Sequence, residues 1–394
     1  MPPQTEAPRA RSPFRLYAAV LASFMAAASV PTPLYRLYQA EWGFSPAMLT
    51  AVFGIYAAGL LAALLSAGAL SDHVGRKPVV LAALLLECLA VALFLAATGP
   101  GWLLAARLVQ GLATGAAMSA LSAGLIDADP ERAPLASSLT PLIGLAAGAL
   151  GSGALADAAP APLHLPYALL LLVFGAQAAS LAGVAETAPR RPGALASLVP
   201  RVRVPRSGRR TFVSILPIDV AVWALGGFTL SLIPSLVREA TGSPRALAGA
   251  AVVAALTGSG ALAILLARRH RADRVIAAAA LLLAAGVAGT LAGVVAGSVA
   301  IMLAGTALAG TGFGAGFLGV LRMTLSDVAP ADRAGLMASL LTVSYLAFSV
   351  PAMAAGVAAR AYGLVPTALG YGAGTILLAL ASLLAVRRSP GQSP

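Results

Sequence analysis

Gly68-Ala-Leu70-Ser-Asp72-His73-Val-Gly75-Arg76-Lys77-Pro78 is a polar island set between two long apolar runs, residues 46–70 and 78–98. Its charges fall where one helix ends and the next begins. Asp72 at a helix end favours pairing with a cation or with another helix's positive N-terminus. Arg76 and Lys77 hold the turn on the side of a membrane where cations collect. Gly75 permits the close approach that a tight turn needs.

The same alternation of long apolar run and short polar break extends along the whole chain. Twelve runs are cut by charges, prolines and turn residues: 16–35, 46–70, 78–98, 102–126, 135–156 and 165–185, then 212–237, 245–267, 275–295, 299–321, 334–359 and 364–386. Each is long enough, at about 1.5 Å per residue, to cross a hydrocarbon layer of about 30 Å. Spanning strands are only about ten residues long and alternate in polarity, which excludes a β-barrel. The 394 residues are 59% hydrophobic and 10% charged, with a mean hydropathy of +0.89. A water-soluble enzyme carries about a quarter of its residues as charges, so that class is excluded. The single cysteine, Cys88, and three scattered histidines, His73, His164 and His270, offer no disulfide framework and no metal-ligand spacing. The expectation is no catalytic residue, no metal and no cofactor.

The net charge of +12 is not a nucleic-acid footprint, because the basic residues sit between the apolar runs and not on one folded face. With the N-terminus in the cytoplasm, 21 of the 26 lysines and arginines fall in cytoplasmic loops and tails. The positive-inside rule then places both termini in the cytoplasm of a multi-pass protein of the cell membrane. The proline-rich basic stretch around 188–210 reads as a linker. The chain divides into a tail at 1–15, a bundle at 16–186, a linker at 187–211, a second bundle at 212–386 and a tail at 387–394. The halves echo each other: Asp127-Ala-Asp-Pro130-Glu-Arg132 returns as Asp327-Val-Ala-Pro330-Ala-Asp-Arg333, and Pro33 and Arg36 return loosely as Pro234 and Arg238. Duplicated halves place a substrate site at their interface, near the bilayer midplane.

The pattern G-x-L-x-D-x-x-G-R-K, carried by Gly68, Asp72, Gly75, Arg76 and Lys77, resembles the signature loop of the major facilitator superfamily. The twelve runs, the six-plus-six repeat and the basic middle loop extend that resemblance over the whole chain. In the fourth run, Arg107-Leu-Val-Gln110-Gly111-Leu-Ala-Thr114-Gly115 resembles the R-x-x-Q-G-x-G motif of the proton-coupled members, with Ala113 at the last glycine. Gly144, Gly148, Gly151 and Gly153 of the fifth run resemble the glycine-rich antiporter motif, with Ala149 and Ser152 at two of its positions. The resemblance implies an all-α fold of twelve transmembrane helices in two pseudo-symmetric six-helix bundles. It also implies a monomer working by rocker-switch alternating access, in which the Asp72–Arg76 loop stabilises one state. The first, fourth, seventh and tenth helices line the cavity, the third is peripheral, and the arginine of the fourth is tied to proton transfer.

Of fourteen acidic residues, only Glu87 and Asp219 lie well inside the runs. A carboxylate there is costly unless it is protonated, paired or facing water. Asp219, on the seventh run, reads either as a proton-coupling or substrate-attracting group or as a hydrogen-bonded structural one. Glu87 reads as a coupling group or as a partner for a neighbouring helix, and Arg107 as a coupling cation or as one that snorkels to the outer surface. Candidates for a mixed cavity are Gln110, Thr114, Trp223, Phe313, Phe317 and Tyr345, each also explicable as packing. Pro351 is expected to kink the eleventh run. The leading expectation is proton-driven export of a small hydrophobic or cationic molecule, with the proton gradient as energy source. The partners are then that substrate, protons and the bilayer. A proton-linked importer and a non-transporting sensor remain the alternatives.

Overall fold

The computed structural model describes residues 13–326 and 328–387. The two tails, 1–12 and 388–394, and Asp327 of the repeated loop motif lie outside the described residues. The helices are α1 (Phe14–Ser29), α2 (Pro31–Trp42), α3 (Pro46–Ala67), α4 (Ser71–Val74), α5 (Arg76–Leu95), α6 (Pro100–Ala128), α7 (Ala133–Ala158) and α8 (Leu165–Ala182), followed by α9 (Ala194–Ser197), α10 (Arg209–Thr241), α11 (Ala246–Ala267), α12 (Ala272–Val295), α13 (Val299–Ser326), α14 (Pro330–Tyr362) and α15 (Leu364–Arg387). No strand occurs among the described residues. Taking α1 and α2 together, twelve segments are long and apolar enough to cross a membrane, matching the twelve runs read from the sequence.

Several ends differ from the sequence reading. The first span continues to Trp42 because the chain resumes as α2 after the break at Val30. Pro31 and Pro33 cause that break, since neither carries an N–H for the carbonyl four residues earlier. The second span stops at Ala67, and the residues expected to prolong it form a turn leading into α4. At the expected kink, α14 remains one helix through Pro351.

In the first half α6 packs on α3 and α5, and α1 packs on α7. In the second, α13 packs on α11 and α12, and α10 on α14 and α15. The halves meet along two helix pairs, α7 with α11 and α3 with α14. Leucines such as Leu172, Leu266 and Leu377 point outward and are more than half exposed, as a lipid-facing surface requires. Both described chain ends lie on one face, called here the terminal face. The linker crosses it and is tied to both halves: the Arg191 amide donates to the His73 carbonyl (2.8 Å) and the Arg203 amide to the Gly335 carbonyl (3.2 Å).

Candidate functional site

Between the halves lies a cavity of about 160 Å³ with no charged side chain on its wall. Its aromatic lining comes from both halves: Phe53 and Tyr56 of α3, Trp223 of α10, Phe313 and Phe317 of α13, and Tyr345 and Phe348 of α14. The rings brace one another. Trp223 packs on Tyr345 with centroids 4.9 Å apart, and Phe53 meets Phe348 across the halves at 4.8 Å. Ser137, Ser138 and Thr257 supply the few hydroxyls besides those of the tyrosines. Four candidates from the sequence, Trp223, Phe313, Phe317 and Tyr345, therefore meet on this wall. Gln110 and Thr114 are not on it, while Phe53, Tyr56 and Phe348 are and were not singled out from the sequence.

Gln110 is instead the centre of a buried network behind the wall. Its amide nitrogen donates to Glu87 Oε1 (2.9 Å) and to the Ala27 carbonyl (3.2 Å), while its Oε1 accepts from Arg107 (2.6 Å). The Ala27 carbonyl is open to this contact because Pro31, four residues on, has no N–H. Arg107 also donates to the Tyr35 hydroxyl (2.6 Å) and the Ala28 carbonyl (2.9 Å), and it faces the rings of Tyr35, Tyr56 and Phe94. Glu87 and Arg107 are both buried, so Arg107 does not snorkel to a surface. Thr114 donates its hydroxyl back to the Gln110 carbonyl (2.8 Å). Ala28 and Tyr56 also line the cavity, which places Arg107 directly behind its wall.

Asp219 is buried one turn from Trp223 and faces Ser344, the residue before Tyr345. The Ser344 Oγ lies 2.9 Å from Asp219 Oδ2, 3.1 Å from Oδ1 and 2.9 Å from the Leu340 carbonyl. Asp219 thus ties α10 to α14 beside the cavity and does not itself line it.

On the terminal face a separate cleft of about 550 Å³ runs between the halves and under the linker. The cleft and the cavity share no lining residue. Met118 and Tyr345 line the cavity, whereas Ser119, next to Met118, and Leu341, one turn from Tyr345, line the cleft. The Tyr345 hydroxyl reaches the Met118 sulfur at 3.9 Å, making the partition a contact between halves. Asp72 and Gly68 line this cleft opposite Ala334, Met337 and Ala338 near the start of α14.

The polar island itself is cross-linked within the first half. Arg76 pairs with Asp72, donates to Ser71 Oγ (2.9 Å) and reaches Asp127 Oδ2 at the end of α6 (3.0 Å). Lys77 donates to the carbonyls of Ala182 (2.7 Å) and Val184 (2.9 Å), where a cation suits a helix C-terminus. Glu186 caps α5 by accepting from the Arg76 and Lys77 amides (2.8 and 3.0 Å). Gly75 holds φ +102°, and a Cβ there would overlap the Glu186 carboxylate, so both backbone and space demand glycine. Glu186 lies 110 residues from Arg76, and nothing local in the sequence marks the pairing.

The face opposite the termini is sealed by a contact that sequence reading also missed. Asp157, at the end of α7, accepts from the Ala246 and Leu247 amides (2.6 and 2.9 Å) and so caps α11 of the other half. Arg36 of α2 lies 3.8 Å from Asp157 and donates to the Pro244 carbonyl. A carboxylate cap is worth about 1 kcal/mol, so Asp157→Ala is expected to open this face about fivefold more often. The check is maleimide labelling of Ala246→Cys, a position 2% exposed at the same contact, in a Cys88→Ser background. An unchanged labelling rate on adding Asp157→Ala would remove the contact as a latch.

Residues 16–352 match the family model described as Major Facilitator Superfamily. Over 99 residues the chain is 36% identical to the multidrug resistance protein MdtL of Shewanella sp. (strain ANA-3), a match that spans 25% of each protein. The fold is similar to that of a bacterial homolog of the human lysosomal transporter Spinster in an inward-facing, unoccupied conformation: TM-score 0.75 and 15% identity, over 96% of this chain and 98% of that one. The nucleoside transporter NupG is similar at a TM-score of 0.73 and 13% identity, over 96% of this chain and all of the other.

Proposed function

Because this chain belongs to the major facilitator superfamily, we propose that it is a proton-coupled exporter of small aromatic or apolar molecules in the cell membrane, with both termini cytoplasmic. In that orientation the terminal-face cleft opens to the cytoplasm, and the Asp157 cap and Arg36 seal the outside. An aromatic cavity without charge favours substrates held by ring stacking and burial, neutral or with delocalised positive charge. Export is the direction in keeping with the partial likeness to a multidrug resistance protein.

One observation carries the proton coupling. The Ser344 hydroxyl has a single hydrogen, yet three acceptor oxygens surround it at 2.9–3.1 Å. An ionised Asp219 would compete with the Leu340 carbonyl for that hydrogen. A protonated Asp219 donates to Ser344 Oγ while Ser344 donates to the Leu340 carbonyl, so the two 2.9 Å contacts each carry a hydrogen and no ionised oxygen competes for them. The state with its cleft open to the cytoplasm is therefore the proton-loaded one. Loss of the proton leaves a buried charge with only the shared Ser344 hydroxyl and the nearby Trp223 indole N–H to stabilise it, which is costly and favours rearrangement of α10 against α14. Tyr345, adjacent to Ser344 and packed at a tilt on Trp223, moves with it, so the partition below the cavity answers to Asp219. As the halves rock, the cleft closes and brings Asp72 toward the start of α14, where a helix N-terminus attracts a carboxylate.

Asp219→Asn supplies the N–H that mimics the protonated form. It is expected to keep the fold and ligand binding while lowering proton-driven flux at least about 100-fold, the measure of a mechanism that has lost its proton-carrying group. The assay uses inverted vesicles with an acid interior, a pH-sensitive dye and a panel including ethidium, tetraphenylphosphonium and chloramphenicol. Wild-type proton release on adding a compound, unchanged in Asp219→Asn, would remove Asp219 from the mechanism. Compound leaving the vesicles together with protons, in place of compound accumulating inside as protons leave, would make the protein an importer. Saturable binding without flux would make it a sensor.

A further inference from the structure

Five arginines on the terminal face have a side-chain partner. Arg76 pairs with Asp72 and Asp127, Arg132 with Asp129 and Arg271 with Asp273. Arg322 donates to the carbonyls of Arg268 and His270, and Arg333 to that of Val328. The linker differs. Residues 187–218 contain seven arginines and no acidic residue. Arg203, Arg206 and Arg209 are exposed and, among the described residues, their side chains make no hydrogen bond or ion pair. These three line one open cleft of about 810 Å³, whose remaining wall includes Phe212 and Val213. Phe212 and Val213 lie in the first two turns of α10, where the apolar span begins; Phe212 is buried, with only its edge on the cleft, and Val213 is 56% exposed. The cleft therefore offers a cationic rim above an apolar wall, at the end of a membrane span.

We propose that this cleft binds an anionic phospholipid of the leaflet on the terminal face. The phosphate is held by the guanidinium forks of Arg203, Arg206 and Arg209, and an acyl chain runs along Phe212 and Val213. Guanidinium groups match phosphate oxygens in a bidentate geometry, and a basic cluster beside a membrane span attracts anionic headgroups. Phosphate without an acyl chain would satisfy the rim and leave the apolar wall uncovered, which favours the lipid over a free anion. A lipid bound there fixes the linker to the start of α10, the helix that carries Asp219 and Trp223. The Arg203 amide already joins the same segment to Gly335 of α14.

The test is native mass spectrometry of the full chain, with phosphatidylglycerol and phosphatidylcholine offered separately at equal concentration. One phosphatidylglycerol is expected to be retained in preference to phosphatidylcholine. The triple variant Arg203→Gln/Arg206→Gln/Arg209→Gln is expected to weaken that binding roughly 100-fold, from about fivefold per arginine. Arg268→Gln/Arg269→Gln, which removes two other exposed arginines of this face, is expected to leave it within about twofold. The triple lysine variant keeps the charge and is expected to fall between wild type and the glutamine variant. Equal retention of the two lipids would overturn the proposal. So would an equal loss in the Arg268/Arg269 variant, which would make the effect general basicity. Displacement of phosphatidylglycerol by millimolar inorganic phosphate would make this a free-anion site and overturn the lipid assignment.

Discussion

Arg107→Ala is expected to lower stability by about 3–5 kcal/mol, the cost of leaving one member of a buried ionic network without the other, and to abolish transport. The guanidinium is 1% exposed and holds three partners, the Tyr35 hydroxyl, the Ala28 carbonyl and the Gln110 side chain. Truncation orphans all three in a low-dielectric interior and removes the cation that balances Glu87 through Gln110. Arg107→Lys keeps the charge but not the fork, and is expected to recover only part of the loss. The informative variant is Arg107→Leu/Glu87→Leu. Replacing both charges with apolar side chains removes the uncompensated ion but leaves the Tyr35 hydroxyl, the Ala28 carbonyl and Gln110 short of partners, so stability is expected to recover only in part. Transport is expected to stay lost, because the network lies directly behind Ala28 and Tyr56 of the cavity wall. Thermal midpoints of detergent-purified protein and vesicle flux separate the two effects. Restored flux in the double variant would make the network structural; an undiminished midpoint in Arg107→Ala would contradict the account of its burial.

The contrast between what was legible and what was not follows from the solvent. A bilayer forces every spanning segment to satisfy its own backbone, so each must be a long apolar helix, and twelve such helices are visible as composition alone. The polar island was legible for the same reason, since charges between spans stand out. Pairings across distance were not. Glu186 capping α5, Asp157 capping α11 and Ser344 beside Asp219 are ordinary polar residues at span ends or within a span, and their partners lie 89 to 125 residues away. Gln110 stands out in the sequence as polar, but its place in the network and not on the cavity wall does not, because helical spacing gives a side chain's stripe and not which neighbour faces it. Phe53, Tyr56 and Phe348 were invisible as cavity residues, since an aromatic ring inside a span reads the same whether it meets lipid, protein or a void.

Gly227→Val is expected to cost about 3 kcal/mol or more, above the usual range for inserting a methylene into a packed core, because the obstacle is backbone. A Cβ at Gly227 would overlap the carbonyl and Cα of Phe348, and neither can yield unless α10 separates from α14. Gly226 is the control one residue away: its Cβ would meet the edge of the Phe313 ring at 3.1 Å, and a ring can turn aside. Gly226→Ala is thus expected to fold with a thermal midpoint close to wild type while crowding the cavity and weakening ligand binding. Gly227→Ala is expected to lower the midpoint clearly, and Gly227→Val to reduce the amount of folded protein recovered from the membrane. The α10–α14 contact that Gly227 permits is the one that holds Asp219 against Ser344 and Trp223 against Tyr345. Spreading those helices separates the carboxyl group from the hydroxyl that shares its proton and pulls the aromatic partition apart. Any folded fraction of Gly227→Val should therefore leak substrate down its gradient without moving protons. Tight coupling in that fraction would mean that the partition is held by contacts other than the approach of these two helices.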